Sequence, residues 1–370
     1  MAVSILVPPP HIQARWRNLR AAMKHKRLGA LLVSYYPDVS YITGFEGDDS
    51  WAVISADHVW LISDFRYEEQ IAQQCPWITT VIRKKGLAEE LFRILKKTAI
   101  STAGLQSENI SLRQRQGLSA LAKKGHVRLV PVEDMVIALR NIKDDHETTL
   151  IEQAIAIAEH AFGTLKARVR IGMSENEIAG LLTYEMRKRG ASNASFDPIV
   201  AVGPNGSLPH YHPSQTKLQG NTPLLVDWGA LFKGYRSDLT RMILVGNVDA
   251  KIKEIYQVVL DAQLAAIDAV KPGVSGRKLD QIARSIITKA GYGDKFGHGL
   301  GHGIGRDIHE QISLSKRGKT ILKSGMIVTV EPGIYLPGIG GVRIEDDVLV
   351  TADGHRVLSS LPKDMESARL

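Results

Sequence analysis

The chain has almost no cysteine: Cys75 is the only one in 370 residues. That excludes an intramolecular disulfide framework and fits a reducing, cytoplasmic setting. No run of 18 apolar residues occurs, so no membrane-spanning helix and no membrane partner are expected. The opening, MAVSILVPPPHIQARW, has too short an apolar stretch for a signal peptide. Acidic residues are in the minority, leaving a formal charge of +8, and such an excess raises the question of a nucleic-acid partner. The excess is local, however. Residues 1–143 hold 20 Lys and Arg against 13 Asp and Glu, whereas 144–370 hold 27 against 26. The densest cluster, Arg83, Lys84 and Lys85, has no interleaved aromatics and reads as a solvated face, so no nucleic acid is expected.

What is present suits one or two globular domains with a real core. In the first 140 residues, RWRNLRAAMKHK is amphipathic, ALLVSY reads as a buried strand, and SWAVISADHVWLISD reads as a hairpin with a polar turn. Trp51 and Trp60 in that hairpin read as packing residues. An α/β domain over 1–140 follows. At NIKDDHE the character changes. Asp144 or Asp145 can cap a helix whose apolar positions Leu150, Ile151, Ala154, Ile155, Ala158 and Phe162 keep helical spacing.

Residues 141–370 contain an internal repeat. Gly172, Ser174 and Gly190 match Gly273, Ser275 and Gly291 at equal spacing. Each copy reads as a serine-capped amphipathic helix closed by glycine, and Glu177 completes a capping box with Ser174. Another helix precedes each copy and a run of strands follows it. Two similar α/β halves in one unit are predicted.

The chemistry concentrates in those strands. FGHGLGHGIG carries five glycines over 297–305 with His298 and His302 between them. That many glycines cost a helix several kcal/mol, at roughly 1 kcal/mol each, so an extended chain is expected. In regular alternation His298, Leu300, His302 and Ile304 would share one face. Asp227 and Asp238 straddle the turn at FKGY almost evenly, and Glu331 and Glu345 are equidistant from Gly338. Each pair is therefore expected to face across a hairpin. Four acids converging with a histidine repel one another unless a cation or a proton is present. An oxygen-rich set with one imidazole suits Mn²⁺ or Co²⁺ first and Zn²⁺ next. Bridging carboxylates would hold two ions about 3.5–4 Å apart.

These residues resemble the pita-bread metallopeptidases, and within them the Xaa-Pro peptidases, prolidase and aminopeptidase P. The matching stretches are VDWGA with Asp227, SDLTR with Asp238, GHGIG with His302, VEPGIY with Glu331 and GGVRIEDDVLVT with Glu345. SLPHYHP with His210 and DIHE with His309 match the family's two other histidines, and YITGFEG and LISDFRY resemble its first, non-catalytic domain. Many members have proline-containing text where HEQIS follows here. The resemblance implies an α/β (α+β) chain with a creatinase/prolidase-like domain over 1–140. A pita-bread catalytic domain over 141–370 would follow, its two pseudo-symmetric halves around an antiparallel sheet.

The resemblance also implies roles. Asp227 would hold a first divalent ion, His302 and Glu331 a second, and Asp238 and Glu345 both, with Mn²⁺ ahead of Co²⁺ or Zn²⁺. Glu331 would shuttle the proton of the attacking water, His309 would meet the carbonyl oxygen as it becomes an oxyanion, and His210 would contact the leaving-nitrogen side. His298 and Arg343 would line the substrate cleft. His212 has no such support and reads as a surface or structural residue. Small peptides with proline at the second position are the implied substrates, cleaved by an Xaa-Pro dipeptidase or aminopeptidase, and a homodimer is implied by resemblance alone. A methionine-type aminopeptidase and a non-catalytic pita-bread binding protein are the alternatives.

Overall fold

The computed structural model describes residues 7–370, so part of the opening read for a signal peptide lies outside the described residues. Among those described, no helix is long and apolar enough to cross a membrane. The chain divides into two compact units, Met1–Arg140 and Asn141–Leu370.

The first unit is built on a six-stranded mixed sheet. Across it lie Thr79–Ile82, Val59–Ser63, Trp51–Ser55, Ala30–Val33, Thr102–Gln106 and Arg128–Val132. The three neighbouring strands Val59–Ser63, Trp51–Ser55 and Ala30–Val33 show why these segments are strands. Alternate residues feed two different cores: Leu31, Val33, Ala52, Ile54 and Leu61 enter one, and Ala30, Leu32, Trp51, Val53, Trp60 and Ile62 enter the other. The sheet is covered on both faces, which is what a nearly unbroken apolar strand requires. The amphipathic stretch at the start forms the helix Pro10–His25, burying Ile12, Leu19 and Met23. Trp51 and Trp60 are packing residues, each 8% exposed. A buried Arg140–Asp38 ion pair at 2.7 Å ties the end of the unit to its start.

In the second unit two helix pairs flank antiparallel strands. The helices are Asp145–Arg168 with Glu175–Lys188, and Ala250–Asp268 with Gly276–Lys289. Asp144 caps the first helix and forms a capping box with Glu147. Ser174 forms the expected box with Glu177, and Ser275 caps its own helix through the Lys278 N–H. Every strand pairing in this unit is antiparallel. The main ladders are a three-stranded sheet with Pro223–Trp228 at its centre and a five-stranded sheet containing Ile327–Val330 and Asp346–Val350.

Strand alternation decides where the acids go. Along Pro223–Trp228, Leu224, Val226 and Trp228 enter the core that contains the first helix pair. Leu225 enters the core of the second pair, and Asp227, two residues on, shares its face. Ile327 enters the first pair's core and Leu349 packs against it, so Glu331 and Glu345, an even number of residues away, share that opposite direction. The acids of each half thus emerge toward the other half's core. They meet between the two.

Candidate metal centre

Asp227 lies opposite Thr240 in the ladder of Pro223–Trp228 with Leu239–Leu244. Asp238 is therefore a diagonal neighbour of Asp227, two residues off the direct pairing that the sequence suggests; the near-even spacing about the turn hid that offset. The second pair does face: Val330 pairs with Asp346 and Gly333 with Arg343, and the unchanged register sets Glu331 against Glu345. His302 sits on a short strand, Gly301–Gly303. A Cβ on Gly301 would lie 2.0 Å from the Thr329 carbonyl oxygen, so only glycine lets this strand approach its neighbour so closely. Of the four residues expected on one face, only His298 and His302 line the cavity; Leu300 and Ile304 are fully buried in the cores. The regular strand is only three residues long and a bulge falls between His302 and Gly303, so the alternation does not persist.

Ligand atoms of Asp238, His302 and Glu345 lie within 4.8 Å of one another. His302 Nε2 is 3.3 Å from Glu331 Oε1 and 3.5 Å from Asp238 Oδ2. Its Nδ1 is 3.1 Å from the Gly303 carbonyl, which fixes a proton on Nδ1 and leaves Nε2 toward the carboxylates. Thr240 Oγ1 donates to Glu345 Oε2 at 2.7 Å and Thr329 Oγ1 to Glu331 Oε1 at 3.1 Å. Arg343 Nη2 donates to Asp227 Oδ2 at 2.5 Å, its Nη1 to the Tyr335 hydroxyl at 2.8 Å and its Nε to Thr240 Oγ1 at 3.1 Å. The His298 Nε2 is 2.8 Å from the same Tyr335 hydroxyl.

Electrostatics show what this arrangement lacks. Burial, reinforced by Glu345 and Asp227, pushes Asp238 well above the usual carboxylate range. Burial, then Glu331 and Asp227, does the same to Glu345. Asp227 is raised by burial against the pull of Arg343. For Glu331 burial also pushes upward, but His302, with His298 and Arg343 behind it, brings the group down to about 2. Asp227 Oδ1, Glu345 Oε1 and Asp347 Oδ1 are buried with no hydrogen-bond partner. Buried oxygens without donors, on acids that repel each other, are chemically suited to bind positive charge. The donor set fits divalent metal: carboxylates and one imidazole, oriented by threonines and a backbone carbonyl.

The centre opens into a cavity of about 470 Å³ that His210, His298, His309 and Arg343 also line. The His309 ring meets His302 edge to face at 4.3 Å, and burial together with His302 lowers its pKa. His212 lines the cavity too, although nothing in the sequence singled it out; it is two residues from His210 on the same loop. Arg343 is 3% exposed and anchors Asp227 while it lines the cavity. Sequence reading missed Tyr335, Thr240, Thr329 and Arg241. The last donates to Asp346 at 2.7 Å and ties the two hairpins together. SDLTR contained Thr240 and Arg241, VEPGIY contained Tyr335, and Thr329 directly precedes it, but as hydroxyls and a buried cation they carry no ligand signature of their own.

Fold and centre together are those of a metallopeptidase. Residues 149–352 match the model of metallopeptidase family M24, residues 15–142 match the creatinase/prolidase N-terminal domain, and the chain belongs to family M24. It is 34% identical over 347 residues to the Xaa-Pro dipeptidase of Pyrococcus horikoshii, covering 93% of this chain and 96% of that one. The structure of an Xaa-Pro dipeptidase from Bacillus anthracis superposes with a TM-score of 0.90 at 38% identity, over 95% and 99% of the two chains. An X-Pro aminopeptidase from Thermotoga maritima gives 0.86 at 36%, over 92% and 99%.

Proposed function

We propose that the protein hydrolyses the peptide bond before proline in short peptides, acting first as an Xaa-Pro dipeptidase. The observation that carries this is the meeting of Asp227, Asp238, His302, Glu331 and Glu345 at a cavity that the apolar side chains of Phe196, Ile199 and Ile308 and the Tyr211 ring also line. The names of the similar proteins support the substrate class. Those five side chains would hold two divalent ions, with Mn²⁺ ahead of Co²⁺ or Zn²⁺ for an oxygen-rich set. When bound, the ions supply Lewis acidity and a nucleophile at neutral pH.

The remaining work falls to the chain. Glu331, its Oε1 held by Thr329, takes a proton from the attacking water and delivers it to the leaving nitrogen. That delivery matters because the proline nitrogen has no N–H and leaves as an amine. His309, kept neutral by burial and by His302, donates to the carbonyl oxygen as negative charge builds there. His210 contacts the leaving-nitrogen side, and His298 lines the cleft beside Tyr335. The apolar lining residues take the proline ring.

Hydrolysis of Gly-Pro and Gly-Pro-Ala, measured side by side with Mn²⁺ and then with chelator, tests the reading. Metal-dependent cleavage of Gly-Pro is expected. Cleavage of the tripeptide alone would make the protein an aminopeptidase, and cleavage of neither would overturn the assignment.

A further inference from the structure

The loop that brings His210 to the cavity belongs to no sheet, and His210 and His212 on it are exposed. Something else must hold it. At its base lies Glu175, the first residue of the helix Glu175–Lys188, completely buried. One carboxylate oxygen serves each arm of the loop. Oε1 accepts from the Val202 N–H at 2.8 Å and from Asn205 Nδ2 at 2.9 Å, on the chain entering the loop. Oε2 accepts from the Tyr211 hydroxyl at 2.9 Å, the Ser214 N–H at 3.0 Å and Ser214 Oγ at 2.7 Å, on the chain leaving it. The helix's own free N–H groups complete the base. Glu175 N–H donates to the Thr216 carbonyl at 3.0 Å and Asn176 N–H to that of Ser214 at 3.1 Å.

We propose that Glu175 is a positioning residue for the peptidase reaction, clamping both arms of the 203–214 loop so that His210 is held at the cavity. The inference rests on the role proposed for His210. Five donors converging on a buried carboxylate fix it far more firmly than a surface pair would, and a carboxylate at a helix's first turn is favoured by the helix dipole. A histidine on a mobile loop would contact the leaving side of the peptide only part of the time. Displacements of about 1 Å around a reacting centre cost on the order of 100-fold in rate.

The test compares Glu175→Ala, Glu175→Gln, His210→Ala and the double variant Glu175→Ala with His210→Ala, all Mn²⁺-loaded, on Gly-Pro. Glu175→Ala is expected to lower kcat roughly 10- to 100-fold with little change in KM, and to lower it no further once His210 is absent. Glu175→Gln, which keeps one acceptor oxygen and loses the other arm, should retain part of the rate. An equal loss in both backgrounds would mean that Glu175 acts through general stability, and would overturn the proposal. Amide hydrogen exchange supplies the second readout. Faster exchange over 203–214 in Glu175→Ala, with 223–244 unchanged, is expected, and unchanged exchange in the loop would refute the clamp. Should Glu175→Ala fail to fold, Glu175→Gln carries the same comparison in both backgrounds. If the wild type cleaves no Xaa-Pro peptide, the function assigned above falls, while the exchange result still decides whether the clamp exists.

Discussion

The two halves of the second unit follow one backbone plan and finish it differently. Gly172 N–H donates to the Leu218 carbonyl at 2.8 Å, and Gly273 N–H to that of Leu322 at 2.9 Å. Ser174 bridges to Lys217 and Ser275 to Ile321. At the next position the copies part. The first half has Glu175, whose carboxylate reaches out to an unpaired loop. The second has Gly276, where an added Cβ would lie 2.2 Å from the Ser313 carbonyl oxygen, so the chain after His309 packs directly on the helix. Ser313 belongs to the strand Glu310–Leu314, which starts immediately after His309 and pairs with Gly301–Gly303. One half fixes its histidine with a side chain and the other with strand register. A repeat thus preserves the backbone geometry that caps a helix while leaving each half free to choose how its loop is held.

The sharpest way to break the comparison is at the acids. Asp238→Ala in one half and Glu345→Ala in the other should each lower kcat/KM on Gly-Pro by at least roughly 1000-fold, near the range for removing essential catalytic electrostatics. Nearly full activity in either would show that one half is dispensable. Metal removal should come next in size. With chelator the unfolding midpoint should drop, and Mn²⁺ at 100 times its dissociation constant should restore about 2.7 kcal/mol.

The same experiment has a pH signature. Asp238 and Glu345 are raised in the metal-free protein, and Asp347 is pushed up to about 8 by burial. A folded acid with a raised pKa binds more protons than its unfolded form, so metal-free stability should fall as pH rises from about 4 toward 8. Chemical denaturation across that range checks the sign, and a rise would contradict it.

Smaller effects sharpen the difference at the helix starts. Gly276→Ala should cost about 1–3 kcal/mol, because the strand after His309 must shift to admit the methyl group. Urea titration measures it, and a neutral result would mean that the strand can give. Ser174→Ala and Ser275→Ala should each cost about 1 kcal/mol as lost caps. The first should cost slightly more, since it also breaks the box with Glu177.

Much of this was legible in the residues. Nearly unbroken apolar runs announced three of the first unit's six strands, and the Gly–Ser–Gly spacing announced both serine-capped helices. The acids could be paired from hairpin symmetry, but only to within two residues, because a turn's centre does not fix a ladder's register; Asp227 and Asp238 show the limit. His298 and His302 do share the cavity, but Leu300 and Ile304 leave that face for the cores, since a bulge is invisible in a glycine-rich string. Arg241 and Glu175 were silent because their side-chain partners lie far away in sequence. A buried hydrogen bond between Arg241 and Asp346, 105 positions apart, leaves no local pattern.

The way each half's acids point toward the other half's core also bears on how the protein assembles. Asp238 and Glu345 come within reach of one ion only after both helix pairs have docked, so neither half alone can present the group. Such a contact closes a long loop, so it is expected to form late in folding, and hydrogen-exchange labelling during refolding would show it. Metal uptake would then mark the end of folding rather than guide its start, and a chain arrested with one half unformed would be unable to cleave anything.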